Sequence, residues 1–155
     1  MRLTKDKRFF PLFWLLSLTW GFLSTFPGLI FAAVLLLAGK KPERVGPLLC
    51  FRVGRHWGGC EMGAIFLRDT TSSEHVTWHE AGHSIQTLMY GPLMPFLVSI
   101  PSFTRYHYRN FMRKFFPEKF KKMPPYDAIW FEGMATRLGK KYFMPSESEK
   151  SEQNQ

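Results

Sequence analysis

Cysteine is scarce in this chain, with Cys50 and Cys60 the only two among 155 residues. Two thiols cannot build the disulfide framework on which small secreted domains rest, and they read as free. Acid is also short: 12 Asp and Glu stand against 21 Lys and Arg, a formal net charge of +9. No internal repeat is visible, which excludes a solenoid. Charge of either sign is missing from Phe9 to Gly39, 31 residues in succession. No small-x-small cleavage site ends that run, and it exceeds the about 7–15 apolar residues of a signal peptide. A cleaved leader is set aside in favour of a retained anchor, since roughly 18 apolar residues mark a membrane segment.

What the chain does have is apolar mass. Hydrophobic residues make up 45% of it and 16 are Phe, which excludes a disordered protein. Its length suits one domain. As one straight helix, residues 9–39 would be about 46 Å long, against a bilayer core of about 30 Å. Two full spans need about 40 residues. Trp20-Gly21 and Pro27-Gly28 are expected to break the run, giving one kinked span or a short re-entrant hairpin. Arg2, Lys5, Lys7 and Arg8 precede it and Lys40, Lys41 and Arg44 follow it. Basic flanks on both sides favour the hairpin, with both ends cytoplasmic.

Beyond a linker at 42–47, Leu48–Val53 and Glu61–Arg68 read as the strands of a short β-hairpin, with Arg55–Gly59 and its His56 as the turn. An edge of that sheet suits an extended peptide held by added-strand pairing. Residues 91–102 are uncharged but too few to span a bilayer. Three prolines there, Pro92, Pro95 and Pro101, argue against a long helix and for a buried or re-entrant connector. Arg105–Lys122 carries seven basic residues and one acid, Glu118, interleaved with Phe, Tyr and Met. Beside an apolar anchor, the partner this composition favours is an anionic lipid surface rather than nucleic acid. His107, within it, reads as surface or lipid-facing.

The chemistry concentrates in Thr71–Gly91. Thr71-x-x-Glu74 reads as a capping box and Gly91-Pro92 as a stop, with Ile85, Leu88 and Met89 on an apolar stripe. On the helix so defined, His79 and His83 stand one turn apart, with Cβ atoms about 5–6 Å from each other. Two imidazoles at that spacing can share one tetrahedral zinc. Glu80 lies about 100° around the axis, placed to take a proton from water rather than to bind metal. Such an H-E-x-x-H helix is the signature of zinc-dependent hydrolysis. His75, one turn earlier, is expected at the surface or behind the ligands, bonding to a group that binds the metal, with a place as an alternative or fourth ligand left open. A second helix is predicted over Ala128–Leu138, capped by Asp127 and ended by Gly139. Its Glu132 is a carboxylate set among apolar neighbours and so needs a partner. A zinc held by two histidines is the obvious one. Ala135, one turn on, is small enough for the two helices to pack closely.

His79-Glu80-x-x-His83 followed by Glu132-x-x-Ala135 resembles the gluzincin pattern of integral-membrane metallopeptidases such as the heat-shock and CAAX-prenyl proteases. That resemblance implies Glu132 as third zinc ligand. Thr136 stands where those enzymes carry an Asp that orients a zinc-bound histidine from behind, which makes Thr136 a candidate for that supporting position. From about Trp20 to Phe143 the chain is also similar to small bacterial membrane proteins that share HEAGHSIQTLMYGPLMPFLVSIPS and YDAIWFEGMATRLG. This second likeness implies one family with one metal site in the bacterial cytoplasmic membrane, and brings no substrate with it.

The reading is thus an α+β fold with an N-terminal membrane-embedded helical segment, a short β-hairpin, and a zincin-like core in which the H-E-x-x-H helix packs on the Glu132 helix. Residues 1–8 form a basic flank, 9–39 the membrane segment, 40–145 the metal-binding domain and 146–155 a polar, disordered tail. The expected function is a membrane-anchored zinc metallopeptidase that hydrolyses peptide bonds with a zinc-activated water. His79, His83 and Glu132 would bind Zn2+, with Glu80 as base and then acid. Its partners would be the bilayer and a peptide or protein substrate. Two alternatives stand beside it: a non-catalytic membrane protein whose zinc is structural, closed by a fourth ligand, and a basic membrane-surface adaptor in which the motif is fortuitous.

Overall fold

The computed structural model describes residue 3 and residues 6–144, so the tail at 146–155 lies outside the described residues. Within them the fold is α+β, with six α-helices and one small mixed sheet.

The uncharged run forms α1 (Phe10–Leu18) and α2 (Phe22–Leu37), which meet at a bend of 102°. The break falls at Thr19–Gly21, but not at Pro27, which rides inside α2. Proline there removes one helical hydrogen bond. Gly28 lets α2 lie on the sheet so closely that a methyl group would strike Met62. Among the described residues no single helix is long and apolar enough to cross a membrane. The burial of α2 is nonetheless inverted. It buries Ser24, Thr25, Gly28 and Ala32 and exposes Phe22, Leu23, Phe26, Ile30, Phe31 and Val34. A helix packed for water does the reverse.

The expected hairpin is instead a four-stranded sheet: β1 (Glu43–Val45), β2 (Leu48–Arg52), β3 (Gly59–Met62) and β4 (Ile65–Arg68), in the order β1-β2-β4-β3. β2 and β4 pair in parallel, Leu49 opposite Ile65, while β1–β2 and β3–β4 are antiparallel. Two glycines explain the difference. Gly46, at φ +62°, turns the presumed linker back as β1, and Gly63, at φ +70°, folds Glu61–Arg68 in half. Both are left-handed positions that favour glycine. Glu61 secures the second turn by accepting from the Gly63 N–H at 2.5 Å. The central strands are apolar because both faces are covered, with Leu48, Cys50, Phe51, Ile65 and Phe66 fully buried. Cys50 is buried and Cys60 exposed, and both are free thiols. β3 pairs only with β4 and is an edge strand.

α3 (Glu74–Tyr90) ends at Gly91, whose φ of +53° stops it as expected. Its start differs: Ser73 is the N-cap, without a side-chain bond, and the Thr71 hydroxyl donates to Asp69 Oδ1 at 2.7 Å instead of capping. The three prolines do not break the next helix. A wide π-helical turn, Pro95–Ser99, runs directly into α4 (Ile100–Phe115), then α5 (Pro117–Lys121). Pro95 and Pro101 each sit in a first turn, where a missing N–H costs nothing. The last helix, α6, spans Trp130–Tyr142, later than predicted at both ends. Asp127 is not its cap, and Gly139 lies inside it. Gly139 is there for close packing: a methyl group would overlap the Trp78 carbonyl, and one on Gly82 would overlap the Ala135 carbonyl. These two glycines bring α3 and α6 together, and the candidate site lies between them.

Candidate metal centre

α3 presents His79 and His83 on one face, and the first turn of α6 presents Glu132 opposite them. Glu132 Oε2 lies 3.0 Å from His79 Nε2 and 3.3 Å from His83 Nε2. The two Nε2 atoms are 3.2 Å apart. All three side chains are buried, Glu132 completely. The residues singled out by spacing and by apolar context therefore meet at one point.

The protons on both rings follow from what lies behind them. The Gln86 amide donates to the Phe131 carbonyl at 2.8 Å, so its Oε1, 2.7 Å from His83 Nδ1, accepts from that nitrogen. Thr136 Oγ1 donates to Asp127 Oδ2 at 2.8 Å and accepts from His79 Nδ1 at 2.9 Å. Each Nδ1 thus carries its hydrogen, and each ring turns its Nε2 toward Glu132, with a lone pair there whenever the ring is neutral. Glu132 Oε1 is buried with no hydrogen-bond partner. Three electron-rich atoms and an orphaned carboxylate oxygen leave the cluster short of positive charge. Two imidazole nitrogens and one carboxylate form a donor set that zinc accepts.

Titration points the same way. Burial pulls the His83 imidazole down, yet the bond to Glu132 and the nearby Glu80 and Glu61 outweigh it and raise His83 to about 9. Burial pushes the Glu132 carboxyl up, but bonds from His79 and His83 hold it well below the usual carboxylate range. Without a metal the cluster holds a proton in its place.

Glu80 is buried beside the trio and packs on β3, where a methyl group at Gly59 would collide with its carboxyl. Burial raises it from its ordinary value, with His79 and His83 pulling the other way. Both histidines, Glu80 and Asp127 line a cleft of about 780 Å³ whose far wall is α4. Tyr106 on that helix closes one end by donating to the Trp57 carbonyl at 3.0 Å. His107 also borders the cleft, whereas His56 is an exposed loop residue at φ +60°. His75 is exposed, its ring centroid 6.1 Å from that of His79. It groups with His79 and Asp127, apart from His83 and Glu132.

Sequence reasoning missed three contributors. Asp127 reads as a cap in the chain but serves Thr136. Gln86 sits three residues after His83, a spacing that could have marked it as that ring's partner. Glu61 borders the cleft, where burial raises it to about 7 against bonds from Thr87 and Gly63. Comparison with protein-family models, with curated proteins and with solved structures finds no match to this chain.

Proposed function

We propose that this protein is a membrane-anchored zinc metallopeptidase of gluzincin type, set in the bacterial cytoplasmic membrane. One observation carries the reading. The group of His79, His83 and Glu132 offers three ligands and, among the described residues, no fourth, and it opens on a cleft with a buried carboxylate, Glu80, at its side. Structural zinc sites are closed by four protein ligands, whereas catalytic ones keep a position open. His75, the candidate for a fourth, belongs to the neighbouring group with Asp127.

His79, His83 and Glu132 would hold the ion, the histidines through Nε2. Zinc, when bound, supplies a Lewis acid that lowers the pKa of a water and polarises a carbonyl. Gln86 and Thr136 fix the two rings so that neither turns away. Glu80 takes a proton from the attacking water and returns it to the leaving amine, a role suited to a carboxylate raised by burial. The edge of β3, which borders the cleft at Gly59–Glu61, offers backbone groups to an extended peptide. The outward apolar face of α2 supports the anchor, because small residues facing protein and large ones facing out suit lipid.

Elemental analysis of detergent-purified protein tests the metal. One zinc per chain is expected, lost in His83→Ala. Stoichiometric zinc without hydrolysis of a denatured, detergent-dispersed polypeptide would favour the structural role, and absence of metal would favour the adaptor.

A further inference from the structure

α4 has two unlike faces. Ser99, at its N-cap, and Ser102, Phe103, Tyr106 and His107 recur every three or four residues and line the cleft. At about 100° per residue, Tyr108 and Phe115 fall on the opposite side, and Ile100 and Phe111 on the flank between. Those four are 50–57% exposed, and no residue of this 16-residue helix is buried. The helix is not loose. Arg105 donates to the Tyr126 and Pro125 carbonyls at 3.2 and 3.0 Å, and Arg109 to the Pro124 carbonyl at 2.7 Å. A fixed helix therefore holds an aromatic stripe outward, half or more exposed among the described residues.

We propose that this stripe is a docking surface for an anionic bilayer, so that α4 lies in the headgroup layer while its inner face walls the cleft. Charge selects the occupant. Lys114 lies over the Phe115 ring at 5.2 Å and Lys119 over Phe116 at 5.4 Å, with Arg113 and Lys122 close by in the chain. Cations flanking aromatics match the boundary between lipid phosphates and acyl chains. A second copy would set like charges against each other. The surface is also continuous with the anchor. Trp20, just before α2, packs on Gly91, and the segment from there to α4 exposes Leu93 and Phe96 at 57% and 63%. Docked this way, the cleft takes polypeptide presented at the membrane surface. The docking itself stands on the two faces of α4 and does not depend on the peptidase reading.

Spin labels test it in the full chain, reconstituted in phosphatidylglycerol-containing nanodiscs. In a Cys60→Ser background, Tyr108→Cys and Phe115→Cys carry the label, with His107→Cys as the cleft-side control. All three side chains are exposed, so substitution disturbs no core. The two outward labels are expected to collide readily with oxygen and poorly with a water-soluble nickel chelate, and the control to do the opposite. In phosphatidylcholine alone, nickel accessibility of the outward labels should rise several-fold. Outward labels open to nickel in the anionic discs would overturn the proposal by placing the stripe in water. Labels shielded from both reagents would overturn it by placing the stripe against protein, and equal profiles in the two lipids would remove the anionic preference.

Discussion

The Thr136 hydroxyl donates to Asp127 Oδ2 at 2.8 Å while its oxygen receives the His79 Nδ1 hydrogen at 2.9 Å. A carboxylate thus reaches the histidine through one hydroxyl, where the gluzincin pattern carries an Asp at the threonine position. Groups of this kind fix the tautomer and typically change metal affinity about 10–100-fold. Thr136→Val should lower zinc affinity by that order in competition with a chromophoric chelator, and Thr136→Ser should restore it. Asp127→Asn should give a smaller loss, because an amide oxygen still accepts. Wild-type affinity in Thr136→Val would mean that the relay does not orient the ring.

Glu132 and Glu118 make a sharper contrast. Both are carboxylates of the C-terminal third, but Glu118 is exposed and, among the described residues, pairs only with Lys121, at 2.7 Å. Exposed pairs contribute at most about 1 kcal/mol. Glu132→Ala should strip zinc from the purified protein, and Glu118→Ala should leave its content unchanged. Equal zinc in both variants would remove Glu132 from the ligand set.

The trio was legible because each member carried a local signal: one helical turn between two histidines, and a carboxylate stranded on an apolar face. Asp127 was not, since a residue before a helix gives the same local cue whether it caps that helix or supports a side chain within it. Gly82 is a costly residue inside a helix, but what approaches it depends on packing that only the assembled fold contains. The sheet was misread for a similar reason. Gly46 reads as part of a linker and Gly63 as the interior of a strand, yet their left-handed backbones create two hairpins. Parallel pairing of β2 with β4 is a contact between distant segments and leaves no local pattern.

Proton release should report the metal directly. His83 is raised to about 9 in the folded, metal-free protein, against an ordinary 6.5. The stabilisation it gives that form is therefore complete below about pH 6.5 and lost as pH rises through about 9. Zinc needs the same nitrogen unprotonated, so its affinity should rise across the same window. Titration calorimetry near pH 7.5 in buffers of different ionisation enthalpy should show about one proton released per zinc from this site. No release would mean that His83 is already neutral.

Glu80→Gln separates binding from chemistry. The amide keeps the shape of the side chain against Gly59 and leaves all three ligands in place, but it accepts no proton at neutral pH. Zinc content should match wild type, while hydrolysis falls by roughly 10²–10⁴-fold, the usual contribution of a positioned base. Retained turnover would exclude Glu80 from that role.

Gly82→Ala tests the packing on which the centre depends. Glycine to alanine inside a helix ordinarily gains about 1 kcal/mol. Here the added methyl group would overlap the Ala135 carbonyl, a backbone atom of α6 that cannot rotate aside. Relief requires the two helices to separate, and overpacking of this kind costs about 1–3 kcal/mol. Because α6 also carries Glu132, separation moves the carboxylate off the two histidines. The expected result is a fall of several degrees in the melting temperature together with weaker zinc binding, in the variant folded and purified like wild type. Gly139→Ala, which meets the Trp78 carbonyl at the other end of the contact, should act in the same direction. If Gly82→Ala raised the melting temperature, as helix propensity alone predicts, the close contact of α3 with α6 would be wrong, and with it the convergence of His79, His83 and Glu132.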